Sequence, residues 1–156
     1  MQIEFFSELA SGLKEKGLHI ALDTSGCIMN DGERKLIGLV DLVLLDLKFN
    51  NETDYKRYTG GSFGATLAFL EESERQNTAV WIRRVIVPSL TDSHESIKEL
   101  KEIISPFKCV KKIELLPFRK LCLEKYESLG ISFPLKDTPE CSEERIKELY
   151  EVLRQG

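Results

Sequence analysis

The stretch Asp41-Leu42-Val43-Leu44-Leu45-Asp46-Leu47-Lys48 decides the fold class. It is a nearly continuous apolar run rather than an alternating one, the pattern of a strand covered on both faces in a parallel sheet. Shorter runs of the same kind lie on either side: His19-Ile20-Ala21-Leu22 before it, Val80 to Val87 and Val110 to Leu116 after it. Around them the apolar spacing changes to the helical period. Ile3, Phe6, Leu9 and Leu13 mark an opening helix that ends near Gly17. Glu33 to Val40 forms a short helix, and Phe63 to Gln76 another, after a polar segment containing Tyr58-Thr59-Gly60-Gly61. Asp92 with Glu95 has the form of a capping box for a helix whose inner face is Ile97, Leu100 and Ile104. A last helix starts at about Ser142 and turns Ile146, Leu149, Tyr150 and Leu153 inward. Strands alternating with helices in this order predict an α/β fold with a parallel sheet and right-handed crossovers.

Either an open doubly wound sheet or an arc of a barrel satisfies that order. The residues at the strand ends favour the arc, a partial (β/α) barrel fragment with about four parallel strands and flanking helices. Polar groups gather where each strand finishes: Asp23 and Thr24, Asp46 and Lys48, Arg83, and Arg119. In barrel folds that rim surrounds a common cavity and carries the chemistry.

Composition bounds the rest. The chain has 156 residues, 42% of them hydrophobic, enough for a core, and no linker splits it, so a single domain over residues 1–156 is expected. Its 22 basic and 26 acidic residues give a net charge of −4, which argues against nucleic acid as a partner. No apolar run reaches the length of a membrane span and no signal peptide is recognisable, so the expected location is cytoplasmic. The four cysteines, Cys27, Cys109, Cys122 and Cys141, are too far apart for a metal knuckle and are read as reduced thiols in the core or on the surface.

Asp46 and Lys48, two apart on one strand, share a face. They are either an ion pair at the strand's open end or a ligand site, with Lys48 contacting an anionic group and Asp46 organising it. Asp23-Thr24-Ser25-Gly26 is either a local turn or cap, or a set of oxygen donors. Together with Asp46 it suits a hard cation. Arg83 and Arg84 face opposite sides of their strand. One looks into the cavity, either to recognise a carboxylate or phosphate or to pair with a helix glutamate, and the sequence does not say which arginine it is. His19 and His94 are read as structural. Lys48 also admits a different chemistry, a Schiff-base lyase or aldolase.

These residues carry a resemblance. Gly17-Leu18-His19-Ile20-Ala21-Leu22-Asp23-Thr24-Ser25-Gly26, then Leu42 to Lys48, then Val80-Trp81-Ile82-Arg83 through Val87-Pro88 and Thr91-Asp92, then Ile113-Glu114-Leu115-Leu116-Pro117-Phe118, resemble in that order the pyruvate formate-lyase activating enzymes. Lys125-Tyr126 and Leu129-Gly130 continue the match. That family consists of radical S-adenosylmethionine enzymes with a partial (β/α) barrel, which install a glycyl radical on a partner enzyme.

The resemblance implies S-adenosylmethionine and a 4Fe-4S cluster as cofactors. It implies cofactor-binding roles for Asp23, Lys48, Arg83 and Arg119, and a monovalent cation held by Asp23, Thr24 and Asp46. The implied partner is a glycyl radical enzyme such as pyruvate formate-lyase. Relatives carry Cys-x3-Cys-x2-Cys, which holds the cluster, and a Gly-Gly-Glu segment. Neither occurs in this sequence, which therefore resembles the C-terminal part of an activase. Arg119 stands where relatives have a histidine, Cys122 where they have a glycine, and Pro88-Ser89 where they have Pro-Gly. The expectation is a chain inactive by itself that pairs with a missing N-terminal half, or self-associates through an exposed sheet edge. A non-enzymatic module that binds a glycyl radical enzyme is the remaining alternative.

Overall fold

The computed structural model describes residues 2–155. They fall into two compact units: residues up to 84 with 102–114, and 85–101 with residues from 115 on. In chain order the elements are α1 (Ile3–Glu15), β1 (Ala21–Thr24), α2 (Asp31–Leu39), β2 (Leu42–Asp46), α3 (Glu52–Thr59), α4 (Phe63–Arg75), β3 (Ala79–Ile86), α5 (His94–Ile104), β4 (Val110–Pro117), α6 (Leu123–Ser128) and α7 (Glu143–Arg154). The strands form one parallel sheet in the order β1-β2-β3-β4, the α/β architecture expected from the alternating pattern.

The first unit holds most of this sheet. Its register sets Asp23 opposite Leu44 and Asp46 opposite Arg83. Side chains alternate across a strand, so Val43, Leu45 and Leu47 of the second-strand segment and Val80 and Ile82 of β3 share a face and are wholly buried. Leu36 and Ile37 of α2, Tyr55 of α3, and Phe69 and Leu70 of α4 are buried with them. Each such aliphatic burial contributes about 1.5–3 kcal/mol. The opposite face, carrying Asp23, Leu44, Asp46, Trp81, Arg83 and Glu114, stays partly open. The apolar run of β2 is therefore covered completely on one side only, and its other side is half-buried.

In the second unit Ile146, Leu149 and Val152 of α7 are buried, and Tyr150 accepts the Leu115 amide at 2.9 Å through its hydroxyl. Arg145 pairs with Glu148 at 2.6 Å, and His94 meets the same carboxylate at 2.7 Å.

Three local readings change. β1 begins two residues later than the apolar run, because the Ile20 amide donates to the Asp41 carboxylate at 2.8 Å instead of joining the ladder. Asp41 in turn lies outside β2. Helix α5 is capped by Ser93, whose hydroxyl accepts the Ser96 amide at 3.0 Å. Asp92 instead accepts the Ser89 amide at 2.8 Å, so the expected Asp92–Glu95 box is not formed. The segment before Gly60-Gly61 is a helix, α3, capped by Asn51, which accepts the Asp54 amide at 2.9 Å.

Candidate ligand site at the strand ends

The carboxyl ends of the strands bring Asp23, Asp46, Lys48 and Arg83 together. Arg83 is the centre. Its Nη1 donates to Asp23 Oδ2 at 2.6 Å, while its Nε lies 3.9 Å from Asp46 Oδ1 and 4.0 Å from Glu114 Oε2. That Nε is buried and has no hydrogen-bond partner. Lys48 Nζ stands 4.0 Å from Asp46 Oδ2. Beside them Lys112 pairs with Glu114 at 2.7 Å and rests 4.4 Å from the centre of the Trp81 ring.

Burial raises the pKa of Asp46 most; Lys48 and Arg83 oppose the shift and Asp23 adds to it. For Arg83, burial works against the charge, but the hydrogen bond to Asp23 and the fields of Asp23, Asp46 and Glu114 outweigh it, and its pKa is raised. Arg83 is thus the arginine that looks onto the open face. Arg84 turns to the helical side and is 1% exposed.

Thr24 takes the local role that its residue type allows: its hydroxyl accepts the Gly26 amide at 3.1 Å. Arg119 finds its partners within the second unit, donating to the Cys141 carbonyl and pairing with Glu143 at 2.7 Å. A cavity of about 250 Å³ opens beside Lys48, between Ser25, Cys27, Tyr55 and Gly60-Gly61. Lys48 lies half in solvent next to a carboxylate rather than in an apolar pocket, which gives no support to a Schiff-base amine.

Glu114 and Lys112 were not among the residues expected here. The alternation Lys112, Glu114, Leu116 on one face is readable, but which residues of β3 they adjoin is not. Tyr55 was missed because α3 was missed.

The donor set fits the amino-acid portion of S-adenosylmethionine. Aspartates accept from an ammonium, and Lys48 with the unpartnered Arg83 Nε can donate to a carboxylate. A 4Fe-4S cluster does not fit the described residues. No group of three or more His, Cys, Asp or Glu among them is placed to hold a metal. Burial, reinforced by Glu74, pushes the Cys109 thiol up to about 12, and burial raises Cys141 too, whereas a ligand must be a thiolate.

These features define an α/β chain of the partial-barrel type with a charged rim at its strand ends. No family model matches it. It is 39% identical over 155 residues to a pyruvate formate-lyase-activating enzyme of Clostridium pasteurianum, covering 99% of this chain and 65% of that protein. The enzyme of the same name from Staphylococcus aureus (strain USA300) is 33% identical over 156 residues, covering 96% of this chain and 62% of that one. A crystal structure of a domain of pyruvate-formate lyase-activating enzyme from Bacteroides vulgatus ATCC 8482 has the same fold, with a TM-score of 0.78 at 18% identity over 97% of this chain and 85% of that one. A radical SAM methyltransferase from Sphaerobacter thermophilus shares the fold over 86% of this chain and 37% of its own, with a TM-score of 0.56 at 19% identity. The chain is thus similar to the pyruvate formate-lyase-activating enzymes over nearly all its residues, and it spans somewhat less than two thirds of the length of the curated relatives it matches.

Proposed function

We propose that this chain is the part of a radical S-adenosylmethionine activase that holds the amino-acid end of the cofactor, in an enzyme acting on a glycyl radical enzyme such as pyruvate formate-lyase. The observation that carries the reading is the convergence of Asp23, Asp46 and Lys48 on Arg83 at the ends of neighbouring strands. Asp23 and Asp46 would accept the ligand's ammonium, and Lys48 and Arg83 would donate to its carboxylate. A monovalent cation at Asp23, Thr24 and Asp46 would compete with Arg83 for the two carboxylates. Arg119, the remaining residue for which the resemblance implies a cofactor contact, would be free to make one only on leaving Glu143.

Asp23, Asp46, Lys48 and Arg83 would hold S-adenosylmethionine, whose chemistry in such an activase would be to yield a hydrogen-abstracting radical on gaining one electron from a reduced iron-sulfur cluster. The described residues offer no ligand set for that cluster, so binding without turnover is the activity assigned to this chain. Turnover would require a polypeptide bearing the cluster ligands. The proposed location is the cytoplasm; among the described residues, no helix is long and apolar enough to cross a membrane.

Titration calorimetry with S-adenosylmethionine tests the reading. Measurable binding is expected, weakened at least about tenfold by Lys48→Met and by Arg83→Met, since each removes a charge-assisted hydrogen bond. Binding indifferent to both substitutions would overturn it.

A further inference from the structure

β2 leaves the ladder at Asp46, yet the next residues are held as firmly as a strand. Tyr55 of α3, 2% exposed, accepts the Lys48 amide at 3.0 Å and donates its hydroxyl proton to the Asp46 carbonyl at 3.3 Å. The Leu47 amide donates to the Arg83 carbonyl at 3.0 Å. Arg84 donates from Nε to the Leu47 carbonyl and from Nη2 to Asn50 Oδ1 at 2.6 Å. Every main-chain polar group from the Asp46 carbonyl to the Lys48 amide is thereby occupied, the Leu47 amide by the Arg83 carbonyl across the sheet and the other three by side chains that sit on the helical face.

Burying a guanidinium is costly unless it is well hydrogen-bonded, and an aliphatic residue would fill the same space without that cost. A phenylalanine would likewise fill the ring site of Tyr55, which packs against Phe49 and Phe63. What the two polar groups add is a fixed course for the chain under Asp46 and Lys48. A lysine on an untethered strand end would spread over many rotamers.

We propose that Tyr55 and Arg84 are positioning residues that hold residues 46–50 from the helical side, so that the Asp46 and Lys48 side chains stand together at the rim. The importance of this for ligand binding rests on the function proposed above; the positioning itself is measurable without ligand. The groups facing Asp46 are Lys48 and Arg83, whose fields lower its pKa, and Asp23, which raises it. Loss of Lys48 from its place must therefore raise the Asp46 midpoint.

The test follows the Asp46 carboxyl by carbon NMR through an acid titration of the full ligand-free chain, in wild type, Tyr55→Phe, Lys48→Met and the double variant. Tyr55→Phe is expected to raise the midpoint, by no more than Lys48→Met does, and to add nothing in the Lys48→Met background. A midpoint unmoved or lowered in Tyr55→Phe overturns the proposal, as does a shift that persists in full once Lys48 is gone. Should Tyr55→Phe not fold, Asn50→Ala, which removes the outer partner of Arg84, is read in the same way. Calorimetry with S-adenosylmethionine on wild type and Lys48→Met reads the binding function separately, so either idea can fail alone.

Discussion

Asp46 is held in the fold at a cost, and that cost has a sign that experiment can read. Burial raises its folded pKa above the usual carboxylate value of 3.8 despite Lys48 and Arg83. A carboxyl with a raised folded pKa binds its proton more tightly in the native chain, so ionising it weakens the fold as pH rises through 3.8 to the higher folded value. Asp46→Asn removes this effect. The variant should therefore gain stability relative to wild type on going from pH about 3 to pH about 7, while losing at least about tenfold in S-adenosylmethionine affinity. Thermal unfolding at the two pH values and calorimetry check the pair of outcomes; an Asp46→Asn variant that loses relative stability toward neutral pH contradicts the burial argument. Gly26 makes a second residue-scale demand. Its φ is +61°, and an added Cβ would lie 2.8 Å from Leu45 Cδ1 and 3.2 Å from Phe69 Cβ. Both neighbours are at most 1% exposed. Gly26→Ala should cost about 1–3 kcal/mol or more in denaturant unfolding, through left-handed backbone strain plus overpacking.

At the scale of elements, α4 and α2 are joined by a polar cluster rather than by apolar contact alone. Glu72 accepts from Arg75 at 2.5 Å and from Gln76 at 2.5 Å, and Gln76 donates onward to the Arg34 carbonyl at 2.8 Å. The Arg75 hydrogen bond, against some burial and with help from Gln76, holds the Glu72 carboxyl down at about 2, from 4.5. A depressed folded pKa stabilises above the unfolded value and is lost as pH falls toward about 2. Glu72→Gln should consequently lower the melting temperature at neutral pH, with the difference from wild type vanishing as the two are compared near pH 2. Elements of this kind were the readable ones: α4 and the last helix carry apolar residues at helical spacing, and β2 and β3 are apolar runs. Helix α3 was not readable because it buries Tyr55 alone and has no apolar stripe, and α6 buries nothing. The same physics divides the site. Asp23, Asp46, Lys48 and Arg83 stood out as polar groups at the ends of apolar strands. Glu114 depends on how β3 lies against β4, and Tyr55 on a helix without a hydrophobic signature, and neither is written in local spacing.

For the molecule as a whole, one group of exposed apolar side chains lies beside β1, the first strand of the sheet order, while others, Leu121, Leu129 and Ile131 among them, lie in the second unit. Phe6 and Leu9 of α1 are 38% and 44% exposed, and with Leu13, Leu22 and Leu36 they line a groove of about 280 Å³. Phe5 and Leu18 are exposed as well, and the outer side of β1 has no strand partner among the described residues. Open strand edges beside apolar surface are templates for association. A net charge of −4 on 156 residues offers weak repulsion against it. Self-association of this chain through the β1 edge is the expected outcome, seen as a mass that rises with concentration in size-exclusion chromatography with light scattering. Phe6→Lys with Leu9→Lys should restore the monomer without lowering the melting temperature by more than a few degrees, because both side chains already lie partly in water. A wild-type chain that stays monomeric over the whole range would refute the edge argument. A charged variant that associates as strongly as wild type would move the contact elsewhere.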